Sequence, residues 1–266
     1  MAKLILRLVR QARPAQDDNE NMNEVLFLHK QYQRQAAWNK VLRLFLYRKI
    51  HLARKQDILE LGSGSGVILH ELAGRTGAKV QGIDHDRRMV AFAKNQNPEN
   101  EIKIAEAVAL PFKDHSFDLI VTNYFWLWQK EPKAVLSEAK RVLKRGGHLI
   151  SLCEPDYPGR RDEPSDLVVI GDLTTGALVR RGADPGLAGK LETLMAEAGF
   201  KTEAGRQEGC WDWREYKKQF DQEWEFIVHL CGSGERLEEL KQKDLQAVLE
   251  KKRRMCLPIQ WAIAKK

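Results

Sequence analysis

From Asp57 onward the chain alternates short apolar runs with stretches of helical spacing, and this alternation restricts its fold more than any other feature. Asp57 to Leu61, Lys79 to Ile83, Ile102 to Ala105, Asp118 to Thr122 and Gly147 to Cys153 read as strands. Val67 to Ala73, Arg87 to Asn95 and Lys133 to Leu143 read as the helices between them. Strands joined through helices require right-handed crossovers, so the expected class is α/β, with a Rossmann-like, doubly wound, mostly parallel sheet. Phe200 to Ala204 and Leu257 to Ala264 bring the expected sheet to seven strands, and Pro258 puts the last of them at an edge or at a strand start. Leu187 to Ala198, Trp211 to Leu230 and Glu235 to Lys252 have helical spacing, as do Trp38, Val41, Leu42, Phe45 and Leu46 ahead of the sheet. The organisation that follows is a basic amphipathic segment and linker over 1–22, a helical lid over 23–55, and a main domain over 56–266 with a helical insertion at about 211–252.

The 266 residues are enough to bury a large core, and 43% apolar with 30% charged residues describes a globular chain rather than a disordered one. No apolar run approaches the roughly 20 residues that span a bilayer, and Arg7 interrupts the one stretch that could resemble a signal peptide. Cys153, Cys210, Cys231 and Cys256 form no CxxC pair and no His cluster has zinc spacing, so a reduced, cytoplasmic protein without a metal is expected. The net charge of +7 is uneven: residues 1–55 hold 12 basic and 4 acidic side chains, and the remainder is close to neutral. The net basicity is therefore poor evidence for a nucleic-acid enzyme, and no nucleic-acid partner is expected. Lys3, Arg7 and Arg10 share one helical face of residues 1–13, which suits either peripheral contact with a membrane surface or packing of a terminal helix on the lid.

The first expected strand runs into Glu60-Leu61-Gly62-Ser63-Gly64-Ser65-Gly66, where glycines allow a tight turn and a ligand closer than any Cβ would permit. Asp84, 18 residues beyond Gly66, ends the next strand and can accept hydrogen bonds from ribose hydroxyls, so the pair reads as a nucleoside site. Val67 stands where a dinucleotide fingerprint needs a small residue, which weakens a pyrophosphate reading. Glu60 would repel a phosphate but suits an ammonium group. S-adenosylmethionine combines adenosine with an α-ammonium and a sulfonium, and has no phosphate.

The run from Asp57 to Gly66, Gly82-Ile83-Asp84, Glu106 to Phe112, Ser116 to Val121 and Arg141 to Gly147 together resemble the class I S-adenosylmethionine-dependent methyltransferases. The similarity is to the small-molecule type, such as ubiquinone and menaquinone biosynthesis methyltransferases, and covers about Tyr32 to Asp156. The resemblance implies S-adenosylmethionine as cofactor and S-adenosylhomocysteine as product. It implies that Glu60 and the turn of Gly62, Ser63, Gly64 and Gly66 face the methionine moiety, that Asp84 holds the ribose and that His85 lies against the adenine. Glu106, where the family usually has aspartate, and the Ala107 amide would meet the adenine ring. Asn123 would lie near the sulfonium or amino group, and Tyr32 resembles a lid tyrosine.

The segment Thr122-Asn123-Tyr124-Phe125 lacks the Asn-Pro-Pro-Tyr turn of enzymes that methylate adenine or glutamine nitrogens. Trp126 and Trp128 suggest a broad aromatic acceptor pocket, and Trp211 and Trp213 are further substrate-binding candidates within an aromatic stripe that also has a packing reading. Glu154 and Asp156, at the carboxyl edge of the fifth strand, are the candidate bases if the acceptor must lose a proton, with Asp156 alternatively a cap. The expectation is methyl transfer to a small aromatic or amphipathic metabolite. An RNA methyltransferase guided by the basic N-terminus and a non-catalytic S-adenosylmethionine-binding protein are the alternatives.

Overall fold

The computed structural model describes residues 15–99 and 101–266. The basic face expected over 1–13 lies outside the described residues. Helix α1 (Ala15–Trp38) begins where a linker was expected, so the segment over 15–22 is helical. Helix α2 (Lys40–Lys49) completes the region before the sheet.

The alternating segment folds as β1 (Asp57–Leu61), α3 (Val67–Arg75), β2 (Lys79–Asp84), α4 (Arg87–Gln96), β3 (Glu101–Ile104), β4 (Phe117–Thr122), α5 (Pro132–Val142) and β5 (Leu143–Pro155). These strands lie in a seven-stranded sheet of order β3-β2-β1-β4-β5-β10-β7, in which β7 is Lys201–Gln207 and β10 is Ile259–Lys265. The first five strands pair in parallel, and β10 runs antiparallel to both of its neighbours. Pro258 precedes β10 and so stands at a strand start; β10 is internal, and the edge strands are β3 and β7.

Successive side chains of a strand point to opposite faces, and β1 shows the consequence. Ile58 joins Leu42, Leu46, Ile68 and Leu72 of α2 and α3 on one face, whereas Leu59 and Leu61 join Val135, Leu136 and Ala139 of α5 on the other. Both faces are covered, so beyond its first residue, Asp57, β1 is apolar except for Glu60, which is only 2% exposed.

Between β5 and β10 the chain builds a lobe larger than the expected insertion. It comprises β6 (Arg161–Glu163), α6 (Val168–Arg180), β8 (Cys210–Trp211), α8 (Trp213–Cys231), α9 (Glu235–Leu249) and β9 (Arg254–Cys256), while α7 (Leu191–Glu197) packs on the main sheet. Leu167, Ile170, Tyr216, Phe220, Trp224, Ile227 and Val248 form its core. The three short strands pair as β6-β9-β8, placing Cys210 opposite Cys256, and a disulfide joins them. This corrects the expectation of four reduced cysteines: 46 residues separate the pair, and antiparallel pairing rather than a CxxC spacing brings them together. At the base of the lobe Arg253, with no exposed side-chain surface, pairs with Asp162 at 2.6 Å and Asp244 at 2.5 Å. Asp244 also accepts from the Tyr216 hydroxyl and the Trp224 indole, so these buried charges are paired.

Helix α1 is wedged between the two parts. On the sheet side Val25 packs with Met89 and Phe92 of α4, and His29 Nδ1 lies 2.8 Å from Ser65 Oγ. On the lobe side Arg34 pairs with Glu223 at 2.7 Å, Phe27 stacks on His229 with centroids 4.4 Å apart, and Trp38 meets Trp211 edge-on at 4.8 Å.

Candidate active site

Beneath α1, at the carboxyl edge of the parallel strands, lies a cavity of about 330 Å³. Its sheet-side wall includes Tyr32, Glu60, Gly62, Ser63, Gly64, Asp84, His85 and Asn123, so eight of the expected cofactor residues converge there. The turn that follows β1 puts Gly62 at φ +69° and Gly64 at φ +50°, a region that favours glycine. A Cβ on Gly62 would lie 2.6 Å from the Phe125 ring, and one on Gly64 2.9 Å from the Tyr32 ring, so aromatic rings press directly on the turn.

Asp84 holds this turn from below. Its Oδ2 accepts from the Gly64 amide at 2.7 Å and its Oδ1 from the Asp86 amide at 2.8 Å. A carboxylate has about four acceptor sites, so two remain for a ligand. His85 is largely exposed at the rim, its Nδ1 3.7 Å from Asp84 Oδ1. The Tyr32 hydroxyl is pushed up to about 12 by burial and then by the negative charges of Asp84, Asp86 and Glu24.

Two acceptor atoms in the wall are buried without a partner: Glu60 Oε2 and Asn123 Oδ1. Burial, and then the charge of Asp84, raises the Glu60 carboxyl well above the usual range, although the Leu69 amide opposes this. Leaving a buried acceptor unsatisfied costs about 1–3 kcal/mol, so these atoms point to a ligand that brings donors. Next to Asn123, Tyr124 has φ +52°, uncommon for a bulky residue, and is held by its amide bond to the Cys153 carbonyl and by Asn39 Nδ2 at 2.9 Å from its hydroxyl.

The remaining expected site residues lie elsewhere. Gly66 serves as the N-cap of α3 at φ +81° and is not in the cavity wall. Glu106 is exposed and Ala107 packs into the core, and neither lines the cavity. Glu154 is corrected from base to structural clamp: it is 1% exposed, outside the cavity wall, and accepts from the amides of Phe125 at 2.9 Å and Trp126 at 3.2 Å. Burial pushes its carboxyl up to about 8. Asp156 caps the short helix 157–159 by accepting from the Gly159 amide and pairs with Arg206 at 3.3 Å, so it too stands outside the cavity as a cap.

Of the tryptophans only Trp128 lines the cavity, with 43% of its surface exposed. Trp126 is completely buried and its indole donates to Thr122 Oγ1 at 2.9 Å, making it core rather than pocket. Trp211 packs against Trp38, and Trp213 lies beneath the cations of Arg214 and Lys251. Spacing alone could not separate these cases, because all four stand in aromatic-rich stretches of the sequence. The lobe instead contributes Tyr157, Leu178, Arg181, Phe226, His229 and Leu230 to the wall. The helix carrying Leu178 was not anticipated, and His229 had no positional signal until α8 was placed opposite α1.

A methyltransferase-domain family model matches residues 59–151, which span β1 to β5. A phosphatidylethanolamine N-methyltransferase of Cereibacter sphaeroides is 33% identical over 165 residues, 56% of this chain and 79% of that protein. A demethylmenaquinone methyltransferase of Tropheryma whipplei is 36% identical over 110 residues, 40% of this chain and 44% of that protein. The chain spans less than half the length of the first curated relatives it matches. Among solved structures, phosphoethanolamine N-methyltransferase 2 of Haemonchus contortus, in complex with phosphomonomethylethanolamine and S-adenosylhomocysteine, shares the fold at TM-score 0.52 and 18% identity, covering 79% of this chain and 48% of that one. The cavity suits the cofactor of this family, because an α-ammonium would supply donors to the unpartnered oxygens of Glu60 and Asn123 while Asp84 keeps acceptor sites for a ribose. Sequence motifs, sheet order and relatives thus agree that the chain belongs to the class I S-adenosylmethionine-dependent methyltransferases.

Proposed function

We propose that the protein transfers a methyl group from S-adenosylmethionine to a small-molecule acceptor bound in the same cavity. The observation that carries this reading is the pair of buried, unpartnered acceptors, Glu60 Oε2 and Asn123 Oδ1, beside a glycine turn anchored by Asp84. Glu60 takes the α-ammonium, Asp84 the ribose hydroxyls, and Tyr32 closes over the turn at Gly64. His85 would border the adenine from the rim, where it is exposed.

A bound S-adenosylmethionine would supply a methyl on a sulfonium: an acceptor lone pair would bond to the methyl carbon in line as the carbon–sulfur bond breaks, its electron pair leaving with the sulfur of S-adenosylhomocysteine. The chain's part is therefore alignment and exclusion of water. Tyr32 and Phe125 press on the turn from two sides, Glu154 fixes the backbone of Phe125 and Trp126, and Leu127 and Leu230 pack with Leu178 to dry the far wall. With Glu154 and Asp156 engaged elsewhere, no carboxylate base reaches the acceptor from the edge of β5.

Incubation with methyl-labelled S-adenosylmethionine and pools of small metabolites tests the reading. It expects S-adenosylhomocysteine together with a labelled product of low mass. Cofactor binding without turnover on any pool would instead favour a non-catalytic binding protein, and label in RNA would favour the RNA alternative.

A further inference from the structure

The two walls of the cavity carry opposite charge. On the cofactor side stand Glu24, Glu60, Asp84 and Asp86, with Arg88 pairing Glu24 and Asp86 at 2.8 Å each. Among the described residues no carboxylate lines the cavity on the lobe side, and the charged or titratable groups there are Arg181, His229 and Tyr157. Arg181 Nη2 donates to the His229 carbonyl at 2.7 Å, which fixes the guanidinium against the end of α8, and no ion pair to a carboxylate of the described residues occupies it. The His229 ring lies on Phe27, half-buried, and burial followed by the charge of Arg181 holds it below its usual range, with Glu24 opposing. A neutral imidazole beside the guanidinium can donate one hydrogen bond to an anion held there. Between these groups and the turn, the surface is supplied by Trp128, Leu178 and Phe226.

We propose that the acceptor of this cavity is an apolar molecule carrying an anionic group, bound with its anion on Arg181 beside His229 and its apolar body along Trp128, Leu178 and Phe226. This rests on the methyltransferase reading of the same cavity and narrows it. A cationic amine acceptor is disfavoured, because its charge would meet Arg181 with no carboxylate of the described residues on that wall to offset it. Arg181 is a specificity residue here: it selects the head group and takes no part in holding the cofactor.

The test uses the full chain saturated with S-adenosylhomocysteine and four probes that share one body: 4-phenylbutyrate, 4-phenylbutyl phosphate, 4-phenylbutanol and 4-phenylbutylamine. Calorimetry is expected to show at least one anionic probe binding tenfold or more tighter than the amine, with the alcohol between. Arg181→Met is expected to reduce that preference to within threefold and to leave S-adenosylhomocysteine affinity unchanged. Carboxylate against phosphate tells which anion the site favours. The proposal is overturned if the amine binds as well as the anions, if Arg181→Met keeps the preference, or if neither anion binds while S-adenosylhomocysteine does. Failure of S-adenosylhomocysteine itself to bind is a different result, and it removes the methyltransferase reading instead.

Discussion

The two walls of the cavity were made by different kinds of local structure, and their contrast explains which parts of the site a sequence can reveal. The cofactor wall is backbone-driven: a strand end, a turn with two left-handed glycines, and the next strand end that pins the turn through Asp84. Each component needs a particular residue type at a fixed separation along the chain. The lobe wall is assembled from the ends of α6 and α8 together with the segment around Trp128, and what it needs is apolar bulk, which many sequences provide. Backbone-fixed polar precision therefore belongs to one side, and apolar shape around the single cation of Arg181 to the other.

The largest effect that separates the two concerns neighbouring tryptophans. Trp126→Ala is expected to destabilise the fold by about 3–5 kcal/mol, since it empties a fully buried site and strands the Thr122 hydroxyl. Trp128→Ala should change stability by less than about 1 kcal/mol and leave cofactor affinity alone, because Trp128 is part-exposed and on the acceptor wall. Urea denaturation checks both, and equal losses would erase the distinction between core and pocket.

Next in size is Asp84→Ala. It removes the acceptor of the Gly64 and Asp86 amides as well as the proposed ribose contacts, so cofactor binding should weaken by about 2–4 kcal/mol, on the basis of two or more charge-assisted bonds. An unchanged calorimetric affinity would detach Asp84 from the ligand and leave it as a turn anchor alone.

Most of the main domain could be read in advance because its strands are short apolar runs separated by helices of strong periodicity; β1 was placed at its observed ends, Asp57 and Leu61. The lobe was harder for identifiable reasons. Helix α6 buries Ile170, Ala177 and Leu178 but also exposes Val168 and Val179, so it shows little amphipathic contrast. Strands β6, β8 and β9 are two or three residues long, too short for alternation to register. Glu154 misled for a related reason: position at a strand's carboxyl edge marks proximity to a site, but the direction of its carboxylate depended on the loop of Phe125 and Trp126 folding back over it.

Glu154 gives a prediction of intermediate size. Its folded-state carboxyl, at about 8, lies above the ordinary value of 4.5, so the folded chain holds a proton that the unfolded chain has released. The contribution to stability is therefore full below about pH 4.5 and is lost as pH rises towards 8. Glu154→Gln mimics the protonated form and should flatten the decline in denaturation midpoint across that window. A slope identical to the wild type would assign it to other groups, Glu60 first among them.

The smallest expected effect bears most directly on the account. Burial keeps the Glu60 carboxyl protonated further up the pH scale than usual, and an ammonium placed against Oε2 favours the ionised form. Cofactor binding should then expel a proton from Glu60, and affinity should rise with pH through the carboxyl's raised range. Titration of S-adenosylhomocysteine into the wild type and Glu60→Gln, each in two buffers of different ionisation enthalpy, measures this. The account predicts single-site binding in the wild type, about tenfold weaker binding in the variant, and loss of the Glu60-dependent proton release in the variant. No saturable binding to the wild type, or equal affinity and equal proton release in both proteins, would contradict it.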